Sequence, residues 1–195
     1  NDGLDKVRRD ERRGSAGRAV QNSVWDGSSV RLFGGRNEVV SFNLVIEAGA
    51  KDATGLSVEF NSLIGPGSSR ISSRQVKKDG LFDYRDRNIE IFHVGYLQIK
   101  GLSRLGYDPT YDERHVPVAM RLPYKVSGGR AVSNGSFSER PGANRYFPDI
   151  AVPMEAVTRF DVKGGESQSV WVDIYIPKES VAGIYKGVLK IKGSG

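Results

Sequence analysis

The sequence predicts an all-β chain, an antiparallel β-sandwich of jelly-roll or immunoglobulin-like type with one long irregular loop insert, and three observations carry that prediction. First, residues 168–178 alternate with period two. Val170, Val172, Ile174 and Ile176 share one face, and Trp171, Asp173 and Tyr175 share the other. Second, short alternating runs are separated by turn residues, and the chain of 195 residues contains 24 glycines. Third, no stretch carries a sustained helical period, and there is no internal repeat.

Taken in order, residues 1–28 read as a polar lead-in arm, rich in Arg, Gly and Ser and loosely held. Residues 29–33 read as a first short strand, Gly34-Gly35-Arg36-Asn37 as a turn, and 38–47 as a long strand. In that strand Val40, Phe42, Leu44 and Ile46 are expected inside, with Ser41, Asn43 and Glu47 outside. Residues 56–60 supply another strand, closed by the breakers Gly65-Pro66-Gly67-Ser68-Ser69. The segment 88–100 sets Ile89, Ile91, His93, Leu97 and Ile99 against Glu90, Phe92, Val94, Tyr96 and Gln98. Neither set is purely polar, which predicts a central strand covered on both sides. Between 101 and 153 the alternation fails, and this is the predicted loop insert. Alternation resumes at 156–162 and continues through 168–178 and 182–191. Residues 29–193 are therefore expected to form a single sandwich, and the linker-like Gly193-Ser194-Gly195 suggests excision from a longer multidomain protein.

Composition narrows the function classes. No apolar run approaches the roughly 20 residues that cross a bilayer as a helix, so no membrane partner is expected. Without cysteine there are no disulfides, thiolate metal sites or cysteine nucleophiles. The net charge of +6 is spread among acids, as in Lys6-Val7-Arg8-Arg9-Asp10-Glu11-Arg12-Arg13, a pattern of solvated surface that does not predict a nucleic-acid partner.

Certain motifs resemble a known bacterial module. They are Arg36-Asn37-Glu38 leading into Phe42-Asn43-Leu44-Val45-Ile46, then Pro148-Asp149 and Val152-Pro153, then the stretch 168–191 with Trp171, Pro177, Gly183, Tyr185 and Gly187. The chain is similar, from about residue 30 onward, to the N-terminal β-sandwich of proteins related to glycoside hydrolase family 123 and the DUF4091 group. In that family the sandwich precedes a barrel that carries the catalytic carboxylates. The resemblance implies an accessory domain without catalytic residues of its own, a downstream catalytic domain in the same polypeptide, and a periplasmic or extracellular bacterial location.

Candidate chemistry concentrates in the insert. A sugar presents C–H faces that stack on aromatic rings and hydroxyls that bond to polar side chains. Tyr107, Tyr111, Tyr146 and Phe147, with Arg145 and Asp149, are therefore the candidate carbohydrate-binding residues, the alternative being that these aromatics cover the sandwich or anchor a neighbouring domain. No cofactor is expected. The alternative is a cation, calcium by its oxygen donors, held by Asp108, Asp112, Glu113 and His115, although their spacing matches no calcium loop or zinc signature. The bland reading of that stretch is a loop tied by Arg114 ion pairs.

An independent hydrolase built from Asp108, Asp112, Glu113, His115 and Asp149 is a second reading. Paired carboxyls would then have to stand about 5 to 10 Å apart across a cleft. A third reading is a protein-binding or self-associating module. Of the two histidines, His93 falls on the face with Ile91 and Leu97 and reads as a core residue.

Overall fold

The computed structural model describes residues 6–12, 20–73, 87–100, 112–116, 118 and 121–194. The described residues form twelve strands in chain order: β1 (Glu38–Glu47), β2 (Ala53–Glu59), β3 (Ser62–Ile64), β4 (Arg70–Ser72), β5 (Ile89–Gln98), β6 (Lys125–Ser127), β7 (Arg130–Val132), β8 (Tyr146–Pro153), β9 (Phe160–Val162), β10 (Ser167–Ile176), β11 (Lys186–Gly187) and β12 (Lys190–Ser194). Among the described residues the only helical turns are short 3-10 segments. Every strand pairing among the described residues is antiparallel.

One layer is the four-stranded sheet β1-β10-β5-β8. The other comprises β12-β2-β9 and β11-β3-β4, in which the consecutive strands β2 and β3 are each the centre of a trio. The core lies between the layers. Val170, Val172 and Ile174 of β10 meet Leu56 and Val58 of β2, Phe160 and Val162 of β9 and Ile71 of β4, all buried. The alternation read from residues 168–178 thus defines the sandwich, with the aliphatic face inward.

Local chemistry explains several of the motif residues. Asn37 takes a left-handed backbone (φ 62) and its side-chain oxygen accepts from the Tyr175 hydroxyl at 2.9 Å, while Glu38 accepts from the Gly35 amide at 2.5 Å. Arg36-Asn37-Glu38 is therefore a turn that launches β1. Tyr185 lies so close over Gly65 that a Cβ there would sit 2.4 Å from the ring. A Cβ on Gly187 would lie 2.5 Å from the Ser62 carbonyl. These positions serve close packing of β11 on β3.

The structure departs from the sequence reading in four places. Residues 29–33 form no strand: Val30 makes a lone bridge to Trp25, and Phe33 is 97% exposed. Asp26 accepts from the backbone amides of Ser28 and Ser29 and folds that stretch into a tight turn. Asn43 faces away from the core yet is buried, its amide donating to Ser169. The insert holds the β6–β7 hairpin, and its last eight residues are the edge strand β8. Pro148 and Pro153 hid β8 from the alternation pattern, and an edge strand tolerates such residues because one side needs no ladder bonds.

The lead-in arm is the fourth departure, because over residues 6–12 it is packed. Val7 is completely buried, the Arg9 amide donates to the Tyr146 carbonyl at 3.2 Å, and the Arg9 carbonyl accepts from the Ser167 amide at 2.8 Å. Ser167 Oγ also donates to the Glu11 carbonyl at 2.7 Å. The arm therefore straps β8 to the start of β10, where β5, paired to β10 only as far as His93, no longer fills the space.

Candidate functional site

Arg145, Tyr146, Phe147 and Asp149 come together at the beginning of edge strand β8. The packed arm engages nearly all of them. The Arg9 guanidinium lies 4.4 Å from the centroid of the Tyr146 ring and 5.1 Å from that of Tyr96, a double cation–π contact. Arg145 pairs with Asp10, and Lys6 pairs with Asp149 at 3.8 Å. Phe147 is half-buried, whereas Tyr146 stays 37% exposed beside exposed Arg145 and Asp149. The arm leaves part of this ring open to solvent, with polar side chains at its rim. The remaining candidates, Tyr107, Tyr111 and Asp108, lie outside the described residues.

Asp112, Glu113 and His115 form a 3-10 turn and its cap. Asp112 accepts from Arg114 at 2.8 and 2.5 Å, from the Arg114 amide at 3.0 Å and from the Ala131 amide at 3.2 Å. The Arg114 hydrogen bonds hold its carboxyl well below the ordinary range. Arg114 also donates to the Gly129 carbonyl, so it ties the turn to the β6–β7 hairpin. Glu113 is buried and bidentate to buried Arg140, at 2.5 and 3.0 Å, and accepts from the Leu122 amide; the Arg140 bonds lower its pKa. The oxygens that a cation or a catalytic proton would need are thus engaged by arginines, and His115 is exposed. Among the described residues no three His, Asp or Glu side chains converge as a metal site.

Sequence reading missed a polar row across the outer face of the main sheet. Register places Ser41, Asp173 and Glu90 side by side on β1, β10 and β5. Ser41 Oγ and Trp171 Nε1 both donate to Asp173 Oδ1 at 2.6 Å, and Arg87 pairs with Glu90 at 3.0 Å and with Glu155. Burial, with repulsion from Glu155 and Asp173, raises the Glu90 pKa against the pull of Arg87. Like charges directly opposite on neighbouring strands are unfavourable, and the donors around Asp173 offset that. Strand alternation put Trp171 and Asp173 on one face; only strand pairing brings Glu90 to them.

His93 packs edge-on against Phe160, with ring centroids 5.0 Å apart, inside the sandwich. Burial lowers its pKa, which keeps a neutral ring in the core.

Fold and site together define an antiparallel β-sandwich module in which the described members of the proposed hydrolase set serve structural ion pairs and turns. Residues 131–193, from β7 to β12, match the glycoside hydrolase 123 N-terminal domain. That stretch is similar to the domain its motifs resemble, and Arg36-Asn37-Glu38 lies outside the match. Among solved structures, a family 123 glycoside hydrolase from Clostridium perfringens, studied for glycolipid glycan hydrolysis, superposes on 82% of this chain and 19% of its own, with 13% identity and a TM-score of 0.47. The chain thus spans about a fifth of the length of that structure. No curated protein matches the chain.

Proposed function

We propose that this chain is a non-catalytic accessory β-sandwich of a carbohydrate-active enzyme, placed in the same polypeptide as a catalytic domain and exported to the periplasm or cell exterior. The observation that carries the reading is the glycoside hydrolase 123 N-terminal match over residues 131–193. Its non-catalytic character is supported by Asp112 and Glu113, whose carboxylates are held by Arg114 and Arg140. A general acid needs a raised pKa, and both of these are lowered.

Glycan contact belongs to the exposed start of β8, where Tyr146 offers ring surface and Arg145 and Asp149 offer hydrogen bonds. Two assays test the proposal. Incubated with chromogenic aryl glycosides, the chain should release no chromophore; release abolished by Asp112→Asn or Asp149→Asn would replace the accessory reading with an enzyme. Retention on insoluble polysaccharide should fall in Tyr146→Ala, and unchanged retention would remove β8 from the binding surface.

A further inference from the structure

The segment before β1 builds a second feature that the motif residues do not touch. A cleft of about 350 Å³ opens between the loop around Trp25 and the edge strand β1. Trp25 and Asn22 form one side; Phe42, Asn43, Leu44 and Glu47 contribute to the other. That volume is within the usual range of small-ligand sites.

Backbone hydrogen bonds define the path of the loop that carries Trp25. Asn22 Oδ1 accepts from the Val24 and Trp25 amides at 3.0 and 2.9 Å, and the Arg31 amide donates to the Val24 carbonyl at 2.8 Å. At the tip, Asp26 Oδ1 takes the Ser28 and Ser29 amides at 2.9 and 2.8 Å, and Trp25 bridges to Val30. A loop backbone held in this way needs little ordering when a ligand arrives.

The lining selects the ligand class. Among the described residues it contains no lysine or arginine to attract phosphate or sulfate groups. It contains one indole, two amides and one carboxylate on an otherwise apolar wall. Apolar C–H surface flanked by hydroxyl groups, which is the chemistry of a sugar ring, complements that set.

We infer that the Trp25 cleft is a carbohydrate-binding subsite separate from β8, in which the indole stacks on a sugar ring and Glu47 accepts from its hydroxyls. This rests on the proposed carbohydrate-active role and adds a place on the molecule to it.

The test is calorimetric titration of the 195-residue chain with cellohexaose, laminarihexaose, mannohexaose and chitohexaose, beside the variants Trp25→Ala, Glu47→Gln and Tyr146→Ala. Binding of at least one sugar is expected, weakened about tenfold or more by Trp25→Ala, which is about 1.4 kcal/mol. Glu47→Gln should weaken it severalfold, and Tyr146→Ala should leave a Trp25-dependent phase intact. Should Trp25→Ala fail to fold by circular dichroism, Trp25→Phe and Glu47→Gln decide, and unchanged affinity in both overturns the inference. Binding lost only in Tyr146→Ala overturns the Trp25 site while leaving glycan recognition on β8. No binding of any probe overturns it as well, and leaves the accessory role to the turnover assay.

Discussion

At the scale of single residues, the Glu113–Arg140 pair organises the stretch between β5 and β8. Both side chains are nearly inaccessible, at 4% and 6% of their surface, and the Leu122 amide adds a third hydrogen bond to the carboxylate. Removing one partner of a buried pair strands the other charge, so Glu113→Gln should cost about 3–5 kcal/mol in urea denaturation. Glu113→Leu combined with Arg140→Leu should cost much less, because an apolar pair leaves no charge stranded. A single-variant loss below about 1 kcal/mol would put the pair in the class of surface ion pairs.

His93 makes a pH-dependent prediction. Its folded pKa lies below the ordinary imidazole value of 6.5, so the unfolded chain binds the proton more readily. The stability from the neutral ring is complete above that value and declines as pH falls through it toward the lower folded pKa. His93→Gln should flatten the stability profile on the acid side of pH 6.5, and an unchanged slope would remove His93 from that dependence.

At the scale of elements, the arm and β8 depend on each other. The arm covers Tyr96 and Tyr146 with Arg9 and bonds to both β8 and β10, which gives otherwise irregular residues 6–12 a defined path. Since Val7 is fully buried, Val7→Ala should cost about 1–2 kcal/mol by thermal or urea unfolding, from lost methyl burial and the cavity left behind. Faster proteolytic cleavage within the arm should accompany it; native cleavage rates and stability together would mean the strap is dispensable. This element was illegible in the sequence for a physical reason. Arg9 and Asp10 read as solvated charge, and their partners Tyr96, Tyr146 and Arg145 lie 87 to 137 residues away. β8 was hidden similarly, since its prolines and Asp149 lower strand propensity while the pairing with β5 supplies what propensity lacks.

At the scale of the whole molecule, two core clusters are joined through shared neighbours. Leu44, Ile91 and Leu189 pack against both the Leu56–Phe160–Val170 group and the Phe42–Ile71–Val172 group. With the layers so connected, far-ultraviolet circular dichroism and tryptophan fluorescence should report one coincident unfolding transition. Separate midpoints would mean that the β11-β3-β4 end of the sandwich opens by itself.

The sequence by itself determined the all-β class, the inward set Val170, Val172, Ile174 and Ile176, the core place of His93 and the likeness to the glycoside hydrolase 123 N-terminal domain. The first three follow from period-two alternation and turn chemistry, which act between near neighbours in the chain, and the likeness rests on motif residues matched to a family. Only the tertiary structure decided that Asn43 is buried, that Asp173 stands opposite Glu90, that Arg140 neutralises Glu113, that Arg9 stacks on Tyr146 and that Trp25 overhangs β1. Each is a meeting of residues far apart in sequence, decided by strand register and by how segments cross. Alternation says which way a side chain points, but pairing determines what it meets there.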